Sequence, residues 1–378
     1  MRFILAKRFL SQLMGWDDME ATERFKEIDL MSDIKYDSYD QFMPGIKFTG
    51  NFYLWLSQFE SLNERKLMYD FVSKYIIYIN SIQISHLIDL LYNTKIIPQL
   101  REKVVEDFKK KGGMSNKFNY RLLDNSPEFR SHKRKTLFIG LSDGSHIDII
   151  RRNSYLDNDQ VLTNYYPDDN KIESLAEELE ASIDVTNDTA KKFESIVLID
   201  DFTASGSSFI RFKEDGSFTG KLPKFFKVLE ENEKFKNLFI ENVEIRLYLL
   251  IATNKALAYI KDSLKQYMQQ HKGLTVQVDC VQKLDEDAMF TSHQEQEAQD
   301  MLRIISKERY INEPALTKAY KKSYSDGDKR YYLGYKQCAL TVVLNHNTPN
   351  NSLPIIWQPK REDKMQPLYP LFYRITRH

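Results

Sequence analysis

At 378 residues the chain is longer than one hydrophobic core ordinarily organises, and 42% hydrophobic with 13% aromatic content can bury a large interior, so a core domain with additions is expected. Lys plus Arg and Asp plus Glu both number 54, a formal net charge of zero, which leaves no global field to recruit nucleic acid or an anionic membrane surface. No stretch approaches a membrane-spanning apolar run, and the chain reads as cytoplasmic.

Residues 1–10 carry Arg2, Lys7 and Arg8 among apolar positions and read as the start of an amphipathic helix, without a continuous apolar stretch or small-residue cleavage site. Helical spacing continues to about residue 125. Across 62–79, Leu67, Met68, Phe71, Val72, Tyr75, Ile76 and Ile79 recur at three- and four-residue intervals, which predicts one buried stripe. Ser81 offers an N-cap to a helix over 82–92, Pro98 falls at a helix boundary, and a charged helix runs to Lys111 before Gly112 and Gly113. Residues 1–129 are thus expected to form an all-helical N-terminal region. Arg130, His132, Lys133, Arg134 and Lys135 cluster ahead of an apolar run and read as a solvated lead-in to a strand.

Beyond Lys135 short apolar runs at 136–141, 160–164, 195–199, 243–251 and 274–281 alternate with helical patterns at 147–152, 172–183, 223–230 and 255–269. This alternation predicts an α/β core over 130–285, built on an open, mainly parallel sheet. Cys280 and Cys338 sit in apolar runs and read as small buried side chains, with no disulfide framework. Residues 286–378 form a C-terminal extension expected to complete the core or its pocket. It holds a helix around 294–308, a Tyr- and Lys-rich linker, a strand over 335–344 and a polar loop over 345–354.

Chemistry concentrates where the run 195–199 ends in Asp200-Asp201, followed by Phe202-Thr203-Ala204-Ser205-Gly206-Ser207-Ser208. The carboxyl end of a strand is where open α/β sheets bind ligands. Small hydroxylic residues around one Gly form a turn whose N–H groups and hydroxyls converge on an anion, a fit for a phosphate monoester. No Lys or Arg occurs in the loop, so backbone dipoles would balance that charge. Of two adjacent acids, one can accept hydrogen bonds from vicinal sugar hydroxyls while the other orients waters of Mg²⁺. The structural alternative is that the acids cap a loop before a Ser-initiated helix over 205–212.

Asp200, Asp201, Ser205, Gly206 and Ser208 resemble, position by position, the signature of type I phosphoribosyltransferases: an apolar strand, two acids, three residues, Ser or Thr, Gly, any residue, Ser or Thr. The resemblance implies that the acids are catalytic, holding the ribose hydroxyls of phosphoribosyl pyrophosphate (PRPP) and binding metal indirectly through water. It further implies that Thr203, Ala204, Ser205, Gly206, Ser207 and Ser208 wrap the 5′-phosphate. Asp143, Gly144 and Ser145, in the turn opened by Ser142 after the first strand, fall where the family binds pyrophosphate. Asp143 departs from the basic residue that relatives often carry there, and an ordinary β-to-α turn is the alternative. Residues 153–170, with Tyr155, Tyr165 and Tyr166, occupy the place of the family's mobile lid, or else form a surface connection.

Near the C-terminus, His346, Asn347 and Trp357 could read and stack on a base, or serve a sharp turn. This loop together with the helical N-terminus resembles a phosphoribosyltransferase-like group of bacterial anti-phage conflict systems. The histidines show no metal-ligand spacing, and neither a Walker loop nor a dinucleotide fingerprint is present. The expected ligand is therefore PRPP or a related ribose phosphate or nucleotide, with Mg²⁺ as cofactor and action at the ribosyl C1. The expected setting is antiviral defence with partner proteins. A catalytically inactive sensor of the same ligand, regulating a partner, is the alternative from another class; an interaction scaffold on a dead fold is a third.

Overall fold

The computed structural model describes residues 3–42, 47–113, 116–153, 156–182, 191–271, 273–320, 330–361 and 367–375. Packing divides the chain into two compact units, Met1–Gln83 with Asp285–His378, and Ile84–Leu284.

The first unit buries an aromatic core drawn from both ends of the chain, including Phe52, Trp55, Phe71, Trp357 and Phe372. The helix Leu62–Tyr75 starts with a capping box, in which Ser61 accepts from Glu64 N–H and the Glu64 carboxylate reaches back. The predicted helical stripe is corrected at its end. Ile77–Ile79 is a strand paired in parallel with Val342–Leu344, and that long-range pairing overrides a three-residue spacing equally suited to a helix. The cap of the next helix, Ser81–Leu91, is Asn80 in place of Ser81: its Oδ1 accepts from Gln83 N–H at 2.8 Å and Gln83 Oε1 accepts from Asn80 N–H at 2.9 Å. Of the strand predicted over 335–344, Val342–Leu344 forms; Lys336, Gln337 and Ala339 have positive φ, which no strand accommodates.

The second unit is a mixed α/β structure on a five-stranded sheet, with β1 (Thr136–Gly140), β2 (Val161–Leu162), β3 (Phe193–Thr203), β4 (Phe239–Thr253) and β5 (Val276–Leu284) in the order β2-β1-β3-β4-β5. Every pairing is parallel, with Phe138 opposite Val197 and Val197 opposite Arg246. One face carries Leu137, Ile139, Ile196, Leu198, Leu247 and Leu249 against the helices Asp169–Ser182, Lys221–Glu231 and Asn254–Gln270.

The other face is covered from a direction the sequence did not suggest. The helix Ile97–Lys110, read as part of an appendage, lies on the sheet: Lys103 Nζ donates to Ser195 Oγ at 2.7 Å, and the Gln99 amide bonds the Tyr248 hydroxyl. Strands buried on both faces explain their near-continuous apolar runs. Pro98 interrupts no helix. Lacking an N–H, it sits in the first turn of Ile97–Lys110 behind a π-helical turn, Tyr92–Ile96. The basic cluster is also corrected. Most of it lies in the helix Pro127–Arg134, and Arg134 and the following C-cap Lys135 are buried; Lys135 and His132 pair with Glu194, and Arg134 with Asp159. Cys280 and Cys338 are buried free thiols.

Candidate functional site

Strand order reverses between β1 and β3, and at such a switch point the connections leave in opposite directions and open a crevice at the carboxyl ends. Asp200 to Ser208 and Ser142 to Ser145 emerge there. Successive residues of β3 face opposite sides of the sheet, so the two acids part company. Asp200 is fully buried, 0% exposed, on the side of Ile196 and Leu198, while Asp201 is half-buried and its Oδ1 accepts from Phe202 N–H at 2.8 Å.

The Asp200 carboxylate is already served by two donors. Ser142 Oγ, at the head of the 142–145 turn, donates to Oδ1, and the Lys221 ammonium pairs with Oδ2. Burial raises the Asp200 carboxyl above its ordinary value, the Lys221 charge opposes the rise, and Asp201 adds to it. Lys221 is a candidate site residue that sequence reasoning missed, a cation close to the loop.

No helix starts at 205. Gly206 has φ of 74°, outside the right-handed helical region, and a Cβ there would lie 2.9 Å from Ala256 O and Tyr259 Cδ1. The chain instead passes through a turn into a hairpin, Arg211–Phe212 with Phe218–Thr219, before the helix Lys221–Glu231 begins after Gly220. The loop is held from within and from β4. Thr203 Oγ1 accepts from Gly206 N–H at 3.1 Å, and Thr253 Oγ1 donates to Ala204 O at 2.7 Å while capping its own helix at Ala256 N–H. Ser205 Oγ and Ser207 Oγ lie 3.0 Å apart. The Gly206 amide is therefore engaged internally. Among the described residues, no protein acceptor is paired with the N–H groups of Ser205, Ser207 and Ser208. These three N–H groups are the loop's candidate donors to a ligand.

On the facing strand, Asp143–Ser145 forms one 3-10 turn with Gly144 and Ser145 buried and Asp143 exposed. Gly140 lets this turn close, since a Cβ there would meet Ser145 Oγ at 2.5 Å. A family model described as PRTase-CE, a phosphoribosyltransferase type, matches residues 54–374. The chain belongs to the PRTase-CE family. No curated protein and no solved structure matches it.

In this PRTase-CE chain, Tyr165 packs 6.4 Å from Phe225, and burial, Tyr166 and the Asp200 charge push its phenol up to about 12. Tyr166 is exposed, and Tyr155 lies outside the described residues. Among the described residues no group of three or more His, Cys, Asp or Glu is arranged to hold a metal. The acids differ in their fit to Mg²⁺: Asp201, half-buried at the strand end, can accept from a metal-bound water, whereas Asp200 would first have to release Lys221.

The three C-terminal candidates of the PRTase-CE chain belong to the other compact unit. Trp357 is corrected to a core residue: it is buried, its Nε1 donates to Ser352 O at 2.9 Å, and its ring packs edge-on against Tyr320. Asn347 spends its amide on backbone, accepting from Thr348 and Ile375 N–H and donating to Ile375 O. His346 is half-buried, and its carbonyl accepts from Gln41 Nε2 at 2.7 Å.

Proposed function

We propose that the site binds PRPP or a related ribose phosphate or nucleotide and acts at the ribosyl C1. Family membership supports a phosphoribosyltransferase-like role. The observation that carries the finer reading is the convergence, at the switch point, of an acid pair with a serine-rich turn that leaves three N–H groups unpaired among the described residues. Ser205, Ser207 and Ser208 would cradle the 5′-phosphate, Asp200 and Asp201 would accept from ribose hydroxyls, and the 142–145 turn would meet the departing group. Mg²⁺ bound through water at Asp201 would neutralise that group. Negative charge beside C1 favours an oxocarbenium-like centre.

Purified protein incubated with PRPP and Mg²⁺ should release pyrophosphate. Calorimetric binding without product under any condition would remove the catalytic claim and leave the second reading, an inactive sensor that regulates a partner protein. Asp143 in the turn favours that second reading, because like charge there opposes pyrophosphate. The layout resemblance noted in the sequence supports a place in bacterial antiviral defence. Equal phage plating on cells carrying the wild-type chain and on cells carrying Asp200→Asn with Asp201→Asn would count against it.

A further inference from the structure

The segments that would meet phosphates hold no basic residue: the turn 142–145 is Ser-Asp-Gly-Ser and the loop 203–208 is Thr-Ala-Ser-Gly-Ser-Ser. A diphosphate arriving there would also face Asp143, Asp200 and Asp201. N–H dipoles supply fractions of a charge, so an anion of this size calls for a full positive charge close by. Lys221 is placed to give it. Its N–H donates to Ser208 O at 3.0 Å, tying the start of its helix to the end of the phosphate loop, and its ammonium lies 5.0 Å from the Phe209 ring centre. That ammonium pairs with one oxygen of Asp200, while the other oxygen accepts from Ser142, the first residue of the opposite turn. A single carboxylate therefore bridges Lys221 to the 142–145 turn.

The two partners of this pair are unequally enclosed: Asp200 has no exposed surface, but the Lys221 side chain keeps 27% of its own. A flexible stem carrying a compact charge can rotate toward an incoming anion. Sugar hydroxyls donating to Asp200 would replace the donor it gives up.

We propose that Lys221 is the diphosphate-selecting cation of this site, held by Asp200 and turned toward the diphosphate when ribose hydroxyls engage that carboxylate. The inference rests on the ribose-phosphate reading above and names the residue that would separate PRPP from ribose 5-phosphate. The hairpin between loop and helix sets where the lysine stands, since Lys221 follows directly on its second strand and Gly220.

Isothermal titration of wild type, Lys221→Met and Lys221→Arg with PRPP and with ribose 5-phosphate, both with Mg²⁺, tests this. Lys221→Met should weaken PRPP roughly ten- to a hundredfold, the worth of one charge-assisted hydrogen bond, with ribose 5-phosphate unchanged or tighter. Lys221→Arg should keep most of the PRPP affinity. In wild type alone, added salt should weaken PRPP more steeply than ribose 5-phosphate, a readout that needs no variant to fold. Unchanged PRPP binding in Lys221→Met, or an equal loss of both ligands, overturns the role of Lys221 while leaving the ribose-phosphate reading standing. Failure of the wild type to bind either ligand overturns both.

Discussion

Removing Lys221 and removing Asp200 should damage the protein very differently. Lys221→Met leaves a carboxyl with no exposed surface and Ser142 as its remaining side-chain donor, whereas Asp200→Asn leaves a lysine that already reaches solvent. Burial raises the Asp200 carboxyl above its unfolded value, so the folded state holds a proton that the unfolded chain gives up. Stability then falls by about 1.4 kcal/mol per pH unit between the unfolded and folded values. Lys221 narrows that window in the wild type, and its loss widens it. Compared at pH 6 and pH 8, Lys221→Met should therefore lose more stability relative to wild type at the higher pH, on top of the cost of breaking a buried pair from one side, about 3 kcal/mol or more. Asp200→Asn should cost about 1 kcal/mol or less at both pH values, near the worth of a partly exposed pair. Trp16, Trp55 and Trp357 all lie in the other unit, so indole fluorescence does not follow the sheet. Maleimide labelling of Cys280, buried in β5, through a urea series does; Cys338 reports separately on the other unit. An equal loss at both pH values, or greater damage from Asp200→Asn, would refute the reasoning.

Gly206→Ala should destabilise the sheet unit by about 1–2 kcal/mol from left-handed backbone alone, and further from contact with Ala256 O; the same labelling series measures it. Thr253→Val removes a helix cap and the hydroxyl holding Ala204, so a loss of about 1–2 kcal/mol is expected in urea, together with weaker ribose 5-phosphate binding. Burial pushes the His132 imidazole down, but Glu194 at 3.0 Å and Asp107 at 2.7 Å outweigh it and leave the net shift upward. Its contribution is therefore complete below about pH 6.5 and lost as pH rises through the folded value. His132→Gln should flatten the fall in urea midpoint between pH 6 and pH 9, and an unchanged slope would exclude the clamp.

Much of the α/β core was legible because its strands are covered on both faces and so read as unbroken apolar runs. Local order also carried the candidate loop, since the strand end, the two acids and Gly206 are contiguous. Partners distant in sequence carried no such mark. Lys221 meets Asp200 only after a hairpin, for which the Asp215-Gly216 pair is the turn signal in the sequence. His132 looked solvated because Asp107 and Glu194 flank it from far along the chain. At Ile77–Ile79 helix and strand share the same apolar spacing, and the choice was made by Val342–Leu344. Trp357 showed the opposite limit: an aromatic beside a polar loop suggests stacking, and core packing claimed it.

The aromatic unit is assembled from segments that leave the ribosome far apart in time. Met1–Gln83 carries half of that core, and the other half begins at Asp285, about 200 residues later. At ordinary synthesis rates the gap lasts roughly 10–40 s. For that interval Phe52, Trp55 and Phe71 lack Trp357 and Phe372, and the nascent chain should attract chaperones, while Ile84–Leu284, one unbroken stretch, can fold as it emerges.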